Sequence, residues 1–247
     1  MPMMNVVVTG GNSGLGLELC KQLHARGDDV AVFATCRTSS PELDAVGIAK
    51  VITGIDVTDA GAGDAIAAAL DGVIVHCLIN NAGGLGSPPG TWDERMDTQK
   101  FASLDFDAMR NAFELNTLGP LRVSKALAPL MASPGGKILI VSTLMASITD
   151  NNSGGMMAYR CSKAAVNMAA VTMSVELKPK GIAVGMVHPG MLKTSFIDDV
   201  PAKMAKFFKP VQGGAAGVLS ALDALCMDTT GSFTHGNYGE GLKPCPW

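Results

Sequence analysis

The chain has 247 residues, a formal net charge of −3 and 47% hydrophobic residues. A mildly acidic balance without runs of like charge excludes an electrostatic nucleic-acid footprint, and no apolar stretch approaches the roughly 20 residues that span a bilayer. Six scattered cysteines without a C-x-x-C pair, and four histidines at no ligand spacing, give neither a disulfide framework nor a metal site, and reduced thiols predict a cytoplasmic protein.

The first apolar run starts near Asn5, so no targeting segment is expected ahead of it. From there, apolar β-branched runs alternate with helical patterns along the whole chain. Strands are expected at Val6–Val8, Val30–Ala34, Val51–Ile55, Ile74–Ile79, Ile138–Val141 and Ile182–Val187. They are short and nearly all apolar, as strands buried on both faces of a parallel sheet are. Helices are expected near 14–26, 62–70, 105–131, 156–178 and 212–227. This alternation predicts one domain, α/β in class, with a doubly wound parallel sheet, helices on both faces and right-handed crossovers.

Chemistry is concentrated where these elements meet. After the first strand comes Thr9-Gly10-Gly11-Asn12-Ser13-Gly14-Leu15-Gly16. Its glycines allow a tight turn and close approach to phosphate, and the following helix offers free N–H groups to an anion. After the second strand, where a carboxylate would bind the 2′-hydroxyl of NAD, the chain reads Ala34-Thr35-Cys36-Arg37. A guanidinium matches a 2′-phosphate, so NADP(H) is expected in preference to NAD(H). Tyr159 and Lys163 stand four apart at the start of a long helix, on one face. An ammonium beside a phenol is expected to pull the tyrosine's pKa down from about 10 toward the working range. Met109, Met168, Met173 and Met186 read as core filler. Met145, Met156, Met157 and Met191 lie nearer the Tyr–Lys pair and are candidates to line an apolar substrate pocket. The long connection 84–104 is a candidate rim.

Four motifs occur in order: the Thr9–Gly16 turn, Asn80-Asn81-Ala82-Gly83, Tyr159-x-x-x-Lys163 and His188-Pro189-Gly190. Together they resemble the short-chain dehydrogenase/reductase family over essentially the whole chain, most closely carbonyl reductases of the sniffer and C-factor type. The resemblance implies a Rossmann-type fold and a set of site residues. Gly10, Asn12, Ser13, Gly14, Leu15 and Gly16 would line the pyrophosphate and adenosine ribose, with Arg37 at the 2′-phosphate. Asp56 and Val57 would flank the adenine, and Asn81, Ala82 and Gly83 would lie along the cofactor. Tyr159 would be the proton donor. Lys163 would hold the nicotinamide ribose and lower the tyrosine pKa. Pro189, Gly190 and Thr194 would close over the nicotinamide, with residues 195–210 as a lid.

Asn116 occupies the family's proton-relay position. Pro120 lacks an N–H, so the carbonyl of Asn116 loses its partner in the 105–131 helix. The family's substrate-polarising serine is replaced: the chain has Ser142-Thr143-Leu144-Met145-Ala146, and the register places that hydroxyl on Thr143. Ser142 points to the opposite face of its strand. The expected activity is reduction of a ketone or aldehyde by NADPH. The alternatives are the reverse alcohol dehydrogenase reaction and a dinucleotide-binding regulator of the same fold. The expected partner is a small carbonyl or alcohol substrate, and the helices at 105–131 and 156–178 could build a homodimer or homotetramer.

Overall fold

In the computed structural model, which describes residues 3–194, 200–236 and 241–247, the apolar runs become strands. In chain order they are β1 (Met4–Thr9), β2 (Val30–Thr35), β3 (Lys50–Ile52), β4 (Cys77–Asn80), β5 (Lys137–Val141), β6 (Ala183–His188), β7 (Phe233–His235) and β8 (Lys243–Pro244). They form one sheet in the order β3-β2-β1-β4-β5-β6-β7-β8. Every neighbouring pair is parallel except β7 with β8. The expected doubly wound parallel sheet is present, with one short antiparallel strand added at its edge. Those last two strands are too short to stand out as apolar runs.

Period-two alternation sends each strand's side chains to two cores. Val7, Ile138, Ile140, Val184 and Met186 enter one; Val6, Val8, Leu139, Val141 and Val187 enter the other. The helices cover both faces: α1 (Gly14–His24), α2 (Pro41–Asp44), α3 (Ala62–Leu70), α4 (Trp92–Asp97), α5 (Phe106–Phe113), α6 (Gly119–Leu127), α7 (Met157–Glu176), α8 (Ala202–Ala205) and α9 (Val211–Ala224). Leu19 and Leu23 of α1 pack with Val218 and Leu222 of α9 in one core. Ile66 of α3, Val123 of α6 and Val166 of α7 pack in the other.

Three expectations about the helices are corrected. The helix expected at 105–131, interrupted by Pro120, is divided further, into α5, a π turn at Glu114–Leu118, α6, and a 3-10 turn at Ala128–Leu130. Pro120 cannot donate to the carbonyl four residues back, and Gly119 N–H bonds Glu114 O, five residues back. The connection 84–104 contains its own helix, α4, closed by a Thr91–Glu94 capping box. Met168 is no core filler. It is 69% exposed on the outer side of α7, whereas Met186 is buried.

The chain crosses from β1 out to β3 and returns to β4 on the other side of β1. That reversal opens a crevice at the carboxyl ends of β1 and β4, where ligands of open α/β sheets bind.

Candidate active site

The glycine turn is braced from β4. Thr9 Oγ1 accepts the N–H groups of Asn81 and Ala82, each at 3.0 Å. Asn81 Nδ2 in turn donates to Thr9 O at 2.9 Å and Gly10 O at 3.2 Å. Asn81 thus shapes the turn, a role its place in the motif did not reveal. Gly10 has φ +69°, and a Cβ on Gly16 would lie 2.0 Å from Gly10 O, so both positions require glycine. Asn12 O accepts from Ser40 Oγ at 2.8 Å. Ser13 precedes α1 without capping it, and the first turn carries no acidic residue. The N–H groups of Gly14, Leu15 and Gly16 are thereby left to an anion, and the geometry fits a dinucleotide pyrophosphate. Thr194 lies over the turn, its side chain 3.3 Å from where a Gly14 Cβ would stand.

Arg37 extends from the end of β2, its side chain 81% exposed, with Nη1 3.9 Å from Asp56 Oδ2. Hydrogen bonds from Thr58, its N–H at 3.0 Å and hydroxyl at 2.7 Å, hold the Asp56 carboxyl below the usual carboxylate range. Val57 is buried against Gly119, so its side chain belongs to the core. Arg37 and Thr58 share a cavity of about 650 Å³ with Gly83, Gly84 and Leu115. This cavity fits the adenosine half of a dinucleotide.

At the other end of the crevice, α7 brings Tyr159 and Lys163 to the end of β5. Lys163 is buried, and its Nζ donates to Val141 O at 2.9 Å. Burial pushes its pKa down to about 8, which still leaves the ammonium charged at neutral pH. A Cβ on Gly83 would lie 3.3 Å from Lys163 Nζ and 3.1 Å from Asn116 Oδ1, so exposed Gly83 roofs both groups. Tyr159 is half-buried, and its hydroxyl is hydrogen-bonded to that of Thr143. Burial pushes the phenol up to about 12, and the Thr143 hydrogen bond opposes it only in part. The expected lowering of the tyrosine pKa by Lys163 is therefore corrected: desolvation sets the direction, and the hydrogen bond that opposes it comes from Thr143, not from Lys163.

The two hydroxyls at the end of β5 part company. Thr143 faces Tyr159, while Ser142 Oγ donates to Asn167 Oδ1 in α7 at 2.6 Å. Asn116, fully buried in the π turn, uses its side chain: Oδ1 accepts from Gly84 N, and Nδ2 donates to Gly84 O and Ser162 Oγ.

Pro189 and Gly190 (φ +94°) follow β6 at the crevice. His188 is packed edge-on against His235, with centroids 4.8 Å apart. Burial and His235 hold its pKa down to about 3, so this imidazole stays neutral. Of the expected lid, residues 195–199 lie outside the described residues. The rest returns through α8 to pair with 191–193, where Lys193 N donates to Lys209 O at 2.9 Å. Among the described residues, no group of three or more His, Cys, Asp or Glu could hold a metal ion, and no helix is long and apolar enough to cross a membrane.

Residues that linear reading passed over also shape the site. Thr117 Oγ1 donates to Ser162 O at 2.8 Å, locking the π turn to α7. Arg160 ties α7 to the 151–155 segment through Gly155 O and Ser153 Oγ. Gln99, fully buried, bonds the start of α7. Their partners are tens of positions away or on irregular backbone, where spacing carries no signal.

A family model described as short chain dehydrogenase matches residues 4–205. A 1-hydroxy-2-glutathionyl-2-methyl-3-butene dehydrogenase of Rhodococcus sp. is 37% identical, over 94% of this chain and 96% of its own. The NADPH-bound carbonyl reductase from chicken fatty liver superposes with a TM-score of 0.81 at 28% identity, over 100% of both chains. The carbonyl reductase Sniffer of D. melanogaster gives 0.80 at 25%, over 99% of this chain and 100% of its own.

Proposed function

The chain belongs to the short-chain dehydrogenase family and is an oxidoreductase, and from that premise we propose that it reduces a ketone or aldehyde with NADPH, Tyr159 delivering the proton. The observation that carries this reading is the hydrogen bond between the Thr143 and Tyr159 hydroxyls, with the Lys163 ammonium four residues along the same helix. When bound, the nicotinamide supplies the hydride. Thr143 and Tyr159 then offer two O–H donors to one carbonyl oxygen, where negative charge develops. A phenol held near 12 keeps its proton at neutral pH, yet is a far stronger acid than the alcohol being formed, so transfer toward the substrate is downhill. Lys163, under Gly83, would hold the nicotinamide ribose hydroxyls, and Asn116, at the family's relay position beside it, would support reprotonation of the tyrosine. The choice of NADP(H) is supported by Arg37 and by the lack of a carboxylate at the end of β2. NADPH-bound and NADP-bound carbonyl reductases among the structural neighbours favour the same reading.

The test is consumption of NADPH, and separately of NADH, against a panel of ketones and aldehydes. Tyr159→Phe is expected to abolish turnover while leaving NADPH binding nearly unchanged. Arg37→Asp should weaken NADPH binding by about 1.5–3 kcal/mol, the value of a hydrogen bond to a charged group. A phenylalanine variant at the parent rate would sink the mechanism; tighter binding of NADH than NADPH by the parent protein would sink the cofactor choice.

The Rhodococcus relative is named a dehydrogenase, which favours alcohol oxidation as the second reading. A phenol near 12 makes a poor base at neutral pH, so that direction is expected to need alkaline conditions. Rates with NADP⁺ and an alcohol panel decide between the two.

A further inference from the structure

We infer that Gln99 is a positioning residue for Tyr159, serving as the N-terminal cap of α7 from 60 positions away. The inference rests on the reading of Tyr159 as proton donor. A helix needs acceptors for its first N–H groups, normally from a local side chain. α7 lacks one: its N-cap is Met156, in left-handed backbone (φ 49°, ψ 42°) with no side-chain cap bond. Gln99 supplies both acceptors. Its backbone carbonyl takes the Met157 N–H at 3.0 Å, and its Oε1 takes the Tyr159 N–H at 3.0 Å.

The same amide reaches the opposite way. Nε2 donates to Leu85 O at 2.8 Å and Ser87 Oγ at 3.1 Å. The side chain is 0% exposed, and both of its amide hydrogens and its oxygen are engaged. The segment it grips is itself immobilised. Asn116 clamps Gly84 at both N–H and C=O, and Gly86 lies hard against the backbone of α5. A continuous polar chain thus runs from Asn116 through Gly84–Ser87 and Gln99 to the Tyr159 backbone. Tyr159 is the third residue of α7. If the first turn frays, its hydroxyl leaves Thr143, and displacements of about 1 Å can cost about a hundredfold in rate.

Gln99→Met keeps similar volume and removes the side-chain hydrogen bonds. The expected result is a fall in kcat of at least tenfold, with NADPH affinity and substrate KM within threefold, because the glycine turn and Arg37 do not touch Gln99, and Lys163 sits a full turn further along α7 with its own anchor at Val141 O. General loosening would raise KM and weaken NADPH binding together with the loss of rate. A folded Gln99→Met variant losing less than tenfold in kcat, or losing NADPH affinity in parallel, overturns the inference. Tyr159→Phe is measured beside it: if that variant is inactive while Gln99→Met is normal, only the positioning role falls; if Tyr159→Phe is itself active, the proton-donor reading falls. Should Gln99→Met not fold, amide hydrogen exchange on the unmodified protein decides. Protected amides at Met157 and Tyr159 support the cap, and exchange at free-peptide rates overturns it.

Discussion

Thr143 and Ser142 are neighbours with the same functional group, yet the strand sends them to different partners. Thr143 meets Tyr159 and caps the turn that follows by accepting from Met145 N at 3.2 Å. Ser142 is consumed by Asn167 at 2.6 Å. Losing one donor to a developing oxyanion costs about 2.7–4 kcal/mol. Thr143→Ala is therefore expected to lower kcat by roughly two to three orders of magnitude. Ser142→Ala should leave kcat within a few-fold while lowering the unfolding midpoint, since Asn167 loses a buried partner. Thr143→Ser should retain activity. All three are compared with one carbonyl substrate at saturating NADPH; a crippled Ser142→Ala beside a healthy Thr143→Ala would move the donor to the other hydroxyl.

Among the elements, the connection between β4 and α5 leaves no room for a side chain at Gly86. Gly86 has φ +77°, and a Cβ there would meet Ala112 N at 2.4 Å and Ala108 O at 2.6 Å, both backbone atoms of α5. Neither can yield without moving the helix. Strained backbone and overpacking each cost about 1–3 kcal/mol, so Gly86→Ala should lose at least about 2 kcal/mol, together with the grip on Leu85–Ser87. Gly54 has nearly the same φ, +74°, but nothing within 4 Å of its would-be Cβ. Gly54→Ala should thus show the strain alone. Denaturant midpoints for the two variants make the comparison, and equal losses would contradict it.

For the molecule as a whole, alkaline pH is the vulnerable direction. Burial raises the thiols from 9.0 to about 12 at Cys20 and to about 11 at Cys77 and Cys245, and the Tyr159 phenol from 10.0 to about 12. These acids ionise more readily when unfolded. Their contribution is fully present below about pH 9 and is lost as pH rises toward 11–12. Lys163 works the opposite way. Its folded pKa of about 8 lies below its ordinary 10.5, so a penalty present below pH 8 disappears by 10.5. Four displaced acids outweigh one displaced ammonium, and the unfolding midpoint should fall between pH 9 and 11. Cys20→Ala should flatten that slope; a midpoint that stays level in the parent protein would refute the account.

Local pattern was enough to determine the alternation of strands and helices, the glycine turn and the Tyr159–Lys163 pair. Each depends on neighbours within a few positions: period two for strands, four for a helix face, fixed spacing for a turn. The same locality gave the opposed directions of Ser142 and Thr143. Tertiary structure alone decided the π turn's register, the burial of Val57, the exposure of Met168 and the antiparallel edge at β8. It also set the tyrosine's acidity, because burial within the fold pushes the phenol up and the charge four residues away contributes nothing to offset it. Gln99 marks the limit most clearly. Nothing in its own stretch distinguishes it from a surface amide, and its partners at Leu85, Ser87, Met157 and Tyr159 become neighbours only when the segment after β4 folds onto the start of α7.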